Sequence, residues 1–219
     1  HYKDTKRTIE DAKRAQDLGA HGLQVSPPIF NLPSQDDILA YYGDLSDAID
    51  IGILVYVTKG MNTPIYMDTY RKMMDFEKIV GVKWSPVVGE YEDIFELSDT
   101  FNIIDNSSRG AVSCYKLGGH GYINHTVDIY PPHDLKVLDL LMQQRWDEAQ
   151  ELLDSVNNPL DKIFKKVGDR TGGQGVVKKG MMAVMGRPCG NSRPPSGAMN
   201  NEEMAELSDV LRSVGWPVT

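Results

Sequence analysis

The stretch IVGVKW, residues 79–84, places one charged side chain, Lys83, near the end of an otherwise apolar run. A short and unbroken apolar run rich in β-branched residues predicts a strand that is buried in a parallel sheet. Similar runs occupy residues 51–57 and 102–105, and stretches with helical periodicity separate the three runs. Strands that alternate with helices predict an α/β fold in which helices cover both faces of a parallel sheet.

Two further short strands are predicted, over residues 21–26 and 121–125, which brings the total to five. Five such strands fit either a doubly wound sheet or part of a (β/α)8 barrel. A helix is predicted over residues 5–18 with no strand ahead of it, which favours a chain that starts within a barrel. Helices are also predicted over residues 133–144, 146–167, 176–185 and 201–214, with a loop at residues 168–175.

The composition excludes several classes of protein. The 219 residues include 23 Lys and Arg against 31 Asp and Glu, a net charge of −8. An acidic chain lacks the basic patch that a nucleic-acid binder needs for phosphate contacts. No apolar run approaches the roughly 20 residues that cross a bilayer, so no membrane partner is expected. Two cysteines and the lack of a basic-then-apolar leader predict a reducing, cytoplasmic location.

Lys83 carries the strongest chemical signal, because α/β proteins bind their ligands at the carboxyl ends of parallel strands. Burial disfavours an ammonium group, and a neutral amine attacks a ketone to give a Schiff base. Tyr56 lies at the end of the preceding apolar run, where its hydroxyl could relay a proton to a bound substrate. The residues alone leave a non-catalytic alternative open for each of them. The ammonium of Lys83 could extend into water, and Tyr56 could simply pack in the core.

Four stretches in a fixed order carry a resemblance to a known family. They are SPPIFNLPS at residues 26–34, ILVYVTKG at residues 53–60, IVGVK at residues 79–83 and LGGHGYIN at residues 117–124. With them the chain resembles the dihydrodipicolinate synthase/N-acetylneuraminate lyase family, which are class I aldolases and lyases on (β/α)8 TIM barrels. The resemblance extends over nearly the whole chain, from Asp4 to Trp216.

The resemblance implies that the chain covers about strands 4–8 of the barrel plus C-terminal helices. Residues 1–130 would run from the third helix to the eighth strand, and residues 131–219 would form the eighth helix and a helical extension. Strands one to three, with the loop that binds the keto-acid carboxylate, would lie in a segment upstream of this sequence. The family also implies a homo-oligomer, either a dimer or a tetramer.

By the same resemblance, Lys83 forms a Schiff base with pyruvate or a related 2-oxo acid, and Tyr56 shuttles protons. Ile123 would lie against the bound keto acid. His125 follows two residues later and faces the same side of the predicted strand, where it could bind a substrate hydroxyl or simply pack in the barrel. No cofactor or metal is expected, because imine chemistry needs neither and the carboxylates and histidines show no ligand spacing.

Three departures from the family bear on the second substrate. Synthases of the family carry an Arg five residues after the tyrosine, where this chain has Met61, and bidentate carboxylate binding needs that guanidinium. Synthases also lend a tyrosine across the dimer where this chain has Phe30. Sialic-acid lyases hold a polyol with an Asp-Glu pair, but this chain has Asn106-Ser-Ser-Arg109 there. Arg109 could bind a carboxylate or lie in solvent.

The sequence therefore predicts a class I aldolase or lyase that forms or cleaves a C–C bond between a 2-oxo acid and an aldehyde. Met61, Phe30 and Trp84 would suit an apolar or aromatic aldehyde rather than aspartate semialdehyde or sialic acid. A dehydratase acting on a 3-deoxy-2-oxo sugar acid and a non-catalytic barrel that binds a keto acid are the alternatives. A stand-alone doubly wound binding domain would require the family match to be accidental.

Overall fold

The computed structural model describes residues 4–29, 32–106 and 110–219. The chain divides into two compact units, His1–Ile123 and Asn124–Thr219. The first unit holds all the strands that are found in the described residues, and the second unit is helical.

The first unit is built on a parallel sheet of five strands, in the order in which they occur along the chain. The strands are β1 (Gly22–Val25), β2 (Gly52–Tyr56), β3 (Ile79–Trp84), β4 (Asn102–Asp105) and β5 (Gly121–Tyr122). Sequential parallel strands need a crossover after each one, and helical segments supply these crossovers. The predicted α/β fold with a parallel sheet is confirmed.

The crossover segments of the first unit have local causes in the sequence. They are α1 (Thr5–Asp17), α2 (Gln35–Ala48), α3 (Met67–Met73), a 3-10 helix (Asp93–Leu97) and α4 (Ala111–Lys116). Ser34 caps α2 in a capping box with Asp37, because each side chain accepts a hydrogen bond from the other residue's backbone N–H. The same helix then buries Ile38, Tyr42 and Leu45 completely against the sheet.

The two faces of the sheet differ in burial. Ile53 and Val55 on β2 and Val82 on β3 are fully buried and form one apolar cluster with α2 and α3. Their neighbours Leu54 and Lys83 point to the opposite face, where the side chains are only half-buried. The described residues of the first unit therefore cover one face with helices, which differs from the predicted cover on both faces.

The second unit contains four helices, and the last three of them share an apolar core. The four helices are α5 (Pro131–Met142), α6 (Trp146–Thr171), α7 (Gln174–Val184) and α8 (Asn201–Ser213). The loop predicted at residues 168–175 is shorter in the structure. The helix α6 continues through Gly168 to Thr171 and α7 begins at Gln174, with Gly172 as the C-cap of α6 at a φ of 77°, a typical helix stop. No helix within the described ranges has the length and apolarity needed to cross a membrane.

Candidate active site

Lys83 and Tyr56 are adjacent in the sheet. They are register partners on the neighbouring strands β3 and β2, so their side chains leave the sheet on the same face. The Nζ atom of Lys83 lies 4.2 Å from the centroid of the Tyr56 ring, within the range of a cation–π contact. The structure thus brings together the two residues that the sequence analysis selected for catalysis.

The same row of the sheet continues across two more strands. Lys83 pairs with Ile104 on β4, and Ile104 pairs with Gly121 on β5. Tyr56, Lys83, Ile104 and Gly121 therefore form one row on the half-buried face of the sheet. Sequence reasoning missed Ile104 and Gly121 because their place in the row depends on strand register, which no local pattern reveals.

Asn106 and Ile123 extend this face beyond the strand ends. The Asn106 N–H donates to the Trp84 carbonyl at 2.7 Å, and the Ile123 N–H donates to the Asp105 carbonyl at 2.7 Å. Each follows a row residue by two positions, and its ladder hydrogen bond continues the strand by one residue, so alternation places both on the row's side of the sheet. The two predicted substrate-binding residues are thus held by backbone hydrogen bonds at the carboxyl end of the sheet.

Trp84 does not belong to this face. It is buried on the helix-covered side, and its indole N–H donates to the carbonyl of Tyr91 at 2.9 Å. Since adjacent strand residues point to opposite faces, Trp84 cannot share the face of the sheet that carries Lys83. The expectation that Trp84 would contact an aldehyde is therefore wrong.

A set of hydrogen-bonded side chains lies on the helix-covered face of the sheet, at the ends of β3 and β4. The Tyr91 hydroxyl donates to Oδ1 of the buried Asp105 at 2.9 Å. Cys114 packs beside them with Sγ 3.6 Å from the Ile103 carbonyl. Burial raises the pKa of the Cys114 thiol to about 11 and raises the pKa of Tyr91 as well, with the Asp105 carboxyl adding to both. Both groups thus stay protonated, and they act as donors rather than as nucleophiles.

The loop after β2 presents Met61 to solvent. Gly60 turns the chain with a φ of 76°, and the side chain of Met61 is 53% exposed. Asn62 is buried and fixes this loop, because its amide accepts from the Thr58 N–H and donates to the Pro27 carbonyl, both at 2.9 Å. Pro27 follows β1, so Asn62 ties together the loops that follow two neighbouring strands.

The structure says less about three other predicted site residues. Phe30 and Arg109 lie outside the described residues. His125 belongs to the second unit, and β5 ends at Tyr122, before the predicted end of that strand. Strand alternation therefore does not fix the side to which His125 points, and its substrate contact stays a prediction. Among the described residues, no group of three or more His, Cys, Asp or Glu side chains could hold a metal ion.

Known proteins similar to this chain point to one family. The dihydrodipicolinate synthetase family matches residues 3–214. A 4-hydroxy-tetrahydrodipicolinate synthase of Cutibacterium acnes is 29% identical over 204 residues, which cover 93% of this chain and 67% of that protein. A DapA-like lyase of Pyrococcus abyssi is 26% identical over 216 residues, which cover 96% of this chain and 72% of that protein.

A solved structure shares the fold. The dihydrodipicolinate synthase of Acinetobacter baumannii, crystallised in complex with pyruvate, superimposes with a TM-score of 0.81. The two chains are 21% identical, and the match covers 97% of this chain and 72% of the other. The family match over residues 3–214 confirms the resemblance seen in the sequence. The chain therefore belongs to the dihydrodipicolinate synthetase family and is an enzyme of the Schiff-base-forming lyase type.

Proposed function

We propose that Lys83 forms a Schiff base with pyruvate or a related 2-oxo acid, and that the protein joins or cleaves a C–C bond through this intermediate. The observation that supports the proposal is the pairing of Lys83 with Tyr56 at the carboxyl end of a parallel sheet. In α/β folds this edge is where catalytic groups meet. The pyruvate named with the A. baumannii relative is a 2-oxo acid of this class.

The proposed reaction begins when the Lys83 ammonium loses a proton to solvent and the resulting neutral amine attacks the C2 carbonyl of the 2-oxo acid. Loss of water from the resulting carbinolamine leaves a protonated imine. The imine accepts the electron pair that C3 retains when a C3 proton leaves, which gives an enamine. In the synthetic direction C3 then attacks the aldehyde carbonyl, and water hydrolyses the new imine to release the product and free Lys83.

Tyr56 is the proposed proton carrier for these steps. Carbinolamine dehydration consumes a proton, and enamine formation releases one, so a hydroxyl beside the amine can serve both steps. Tyr56 is the register partner of Lys83 and lies under its Nζ. A neighbour at that position supports a role in catalysis over a role in packing alone.

Met61 supports a second substrate that has no carboxylate at the position where synthases place an arginine. Its side chain is exposed on the loop after β2 and carries no charge. The loop also contains Lys59, but an ammonium is a point charge and cannot reproduce the two parallel hydrogen bonds of a guanidinium. We therefore favour an aldehyde that is less polar than aspartate semialdehyde. The predicted homo-oligomer remains part of the proposal, and light scattering of the purified protein measures it.

Exchange of the pyruvate methyl protons for deuterium tests the imine without knowledge of the aldehyde. The full-length protein in D2O with pyruvate is expected to remove the methyl signal from the proton NMR spectrum, because the enamine takes up deuterium at C3. Lys83→Arg should lose this exchange, since a guanidinium does not form the imine. Wild-type protein that stays folded but exchanges no proton of any 2-oxo acid would contradict the proposal.

A further inference from the structure

The strand that carries Lys83 contains one extra residue. Ile53 on β2 pairs with Ile79 on β3, but the next residue, Leu54, pairs with Gly81, so Val80 has no partner on β2. Val80 is 50% exposed, although its neighbours Ile79 and Gly81 are buried. This is the pattern of a β-bulge, in which two residues of one strand lie opposite one residue of the other.

The shift decides which face of the sheet receives Lys83. With the pairing of Ile53 and Ile79 continued without a bulge, Tyr56 would pair with Val82 and not with Lys83. Because side chains alternate, a slip of one residue moves a side chain to the opposite face. Lys83 would then point into the helix-covered core, away from Tyr56.

The apolar pattern of β3 enforces the shift. Ile79, Val82 and Trp84 are all buried on the helix-covered face. The first two are three positions apart, so a regular strand would place them on opposite faces. One inserted residue between them lets all three reach the core. Core burial on one face therefore sets the position of Lys83 on the other.

Glycines lie where the strands approach closely beside the bulge. A Cβ added at Gly52 would lie 2.8 Å from Cγ2 of Val80, and a Cβ added at Gly81 would lie 2.5 Å from the backbone oxygen of Asn102. Both distances are closer than side chains tolerate, and glycine inside a strand commonly marks a bulge or a close backbone approach. Either a glycine at position 52 or a smaller side chain at position 80 avoids the contact between the added Cβ and Val80.

We infer that the register shift at Val80, accommodated by Gly52, is the device that positions Lys83 beside Tyr56. Gly52 and Val80 are then positioning residues of the imine site, although neither belongs to the row that holds Lys83. The inference deepens the proposed function and rests on it for its catalytic meaning. The geometry of the shift can be measured separately from catalysis.

A double-mutant cycle on Gly52 and Val80 tests the inference. The variants are G52A, V80A and G52A/V80A, with G168A as the matched control, because an added Cβ at Gly168 on α6 meets nothing within 4 Å. The first readout is the proton shift of the Lys83 ε-methylene in lysine-labelled protein, assigned with K83R. Protons over an aromatic face shift upfield, and Y56L identifies the ring that causes the shift. The second readout is the rate of methyl-proton exchange in pyruvate.

We expect G52A to abolish the upfield shift and to lower the exchange rate on the order of 100-fold, as misplacement by about 1 Å can do. G52A/V80A should regain the shift and most of the rate, because the clashing methyl is gone. Folded G52A with both readouts unchanged would overturn the inference, as would a double variant that recovers neither. If G52A does not fold, a folded double variant with both readouts near wild type supports the inference. A folded double variant that lacks both readouts contradicts it.

The two hypotheses fail differently. Wild-type protein with the upfield Lys83 signal but no exchange would contradict the proposed chemistry, and the NMR cycle would still decide whether the bulge sets the contact. Wild-type protein that exchanges protons but shows no upfield signal would overturn the inference and leave the chemistry standing. G168A should match wild type in both readouts.

Discussion

The Nζ atom of Lys83 lies 4.2 Å from the centroid of the Tyr56 ring, and the two residues are register partners on adjacent parallel strands. An aromatic face attracts the ammonium form of lysine, so the ring holds the side chain in one place before a substrate arrives. The hydroxyl on the same ring is the group proposed to move protons. One side chain thus performs two tasks that mutation can separate.

Tyr56→Phe should keep the lysine in place and slow proton transfer. The ring face remains while the hydroxyl is lost, and general acid–base groups contribute about 10²–10⁴-fold to a rate. We expect methyl-proton exchange of pyruvate to slow by that factor. Capture of Lys83 by pyruvate and borohydride should be slower too, because imine formation uses the same hydroxyl, but it should still go to completion on long incubation because the lysine stays in place. Tyr56→Leu removes ring and hydroxyl together and should impair both. Exchange at the wild-type rate in Tyr56→Phe would show that the hydroxyl carries no proton.

Met61→Arg should broaden the range of aldehydes. A guanidinium at this exposed position adds a charge-assisted hydrogen bond to a second carboxylate, which contributes roughly 1.5–3 kcal/mol. We therefore expect kcat/KM for aspartate semialdehyde to rise about tenfold or more. Met61→Leu changes shape without charge and should leave that value near wild type. If both variants respond equally, residue 61 does not face the second substrate.

Tyr91→Phe should destabilise the first unit. The Tyr91 hydroxyl donates to the buried Asp105 carboxyl, and loss of a hydrogen bond to a buried acceptor costs about 1–3 kcal/mol. Urea unfolding measures the change in the free energy of unfolding. The matched control is Tyr115→Phe, because the Tyr115 hydroxyl donates to the backbone carbonyl of His120 in an exposed setting. A cost for Tyr91→Phe no larger than that of the control would contradict the account.

His133 should make the second unit sensitive to acid. Burial lowers the pKa of its imidazole, which packs 5.9 Å from the Trp216 ring. The unfolded chain protonates its histidines near pH 6.5, so below that value it binds more protons than the folded state does. The contribution of His133 to the free energy of unfolding is therefore fully present above about pH 6.5. It is lost as the pH drops toward the lowered pKa of His133 in the folded state.

Two histidine variants test whether His133 causes this loss of stability in acid. His133→Phe keeps a ring against Trp216 and should flatten the loss of the free energy of unfolding between pH 7 and pH 5. His120→Phe, at an exposed position, should retain the wild-type slope. A slope that His133→Phe leaves unaltered would assign the acid sensitivity to another group.

The apolar pattern of the sequence predicts most of the sheet. It predicts β3 and β4 with the bounds that the structure has, 79–84 and 102–105, because buried parallel strands read as short apolar runs between helices. The same pattern predicts too long a last strand, since pairing in the described structure ends at Tyr122. It also predicts a loop at Gly168, where α6 continues, because the rest of the helix overrides one glycine's weak helix propensity.

The site was predictable only in part. Lys83 and Tyr56 stand out because a lysine and a tyrosine at the ends of neighbouring strands must lie close together. The side on which each residue points depends on register, and here one bulged residue, Val80, reverses it. Trp84 follows Lys83 directly, so strand alternation alone excludes it from the face of Lys83, and it is buried on the opposite face. The face that Lys83 itself takes is settled by pairing between strands, not by local sequence.

Covalent capture of the keto acid tests the central claim most directly. The full-length protein is incubated with pyruvate, reduced with borohydride, digested and sequenced by mass spectrometry. We predict one modified residue, Lys83, carrying the mass of reduced pyruvate, and no modification in the Lys83→Arg variant. Capture on a different lysine, or none in folded protein across a panel of 2-oxo acids, would contradict the account.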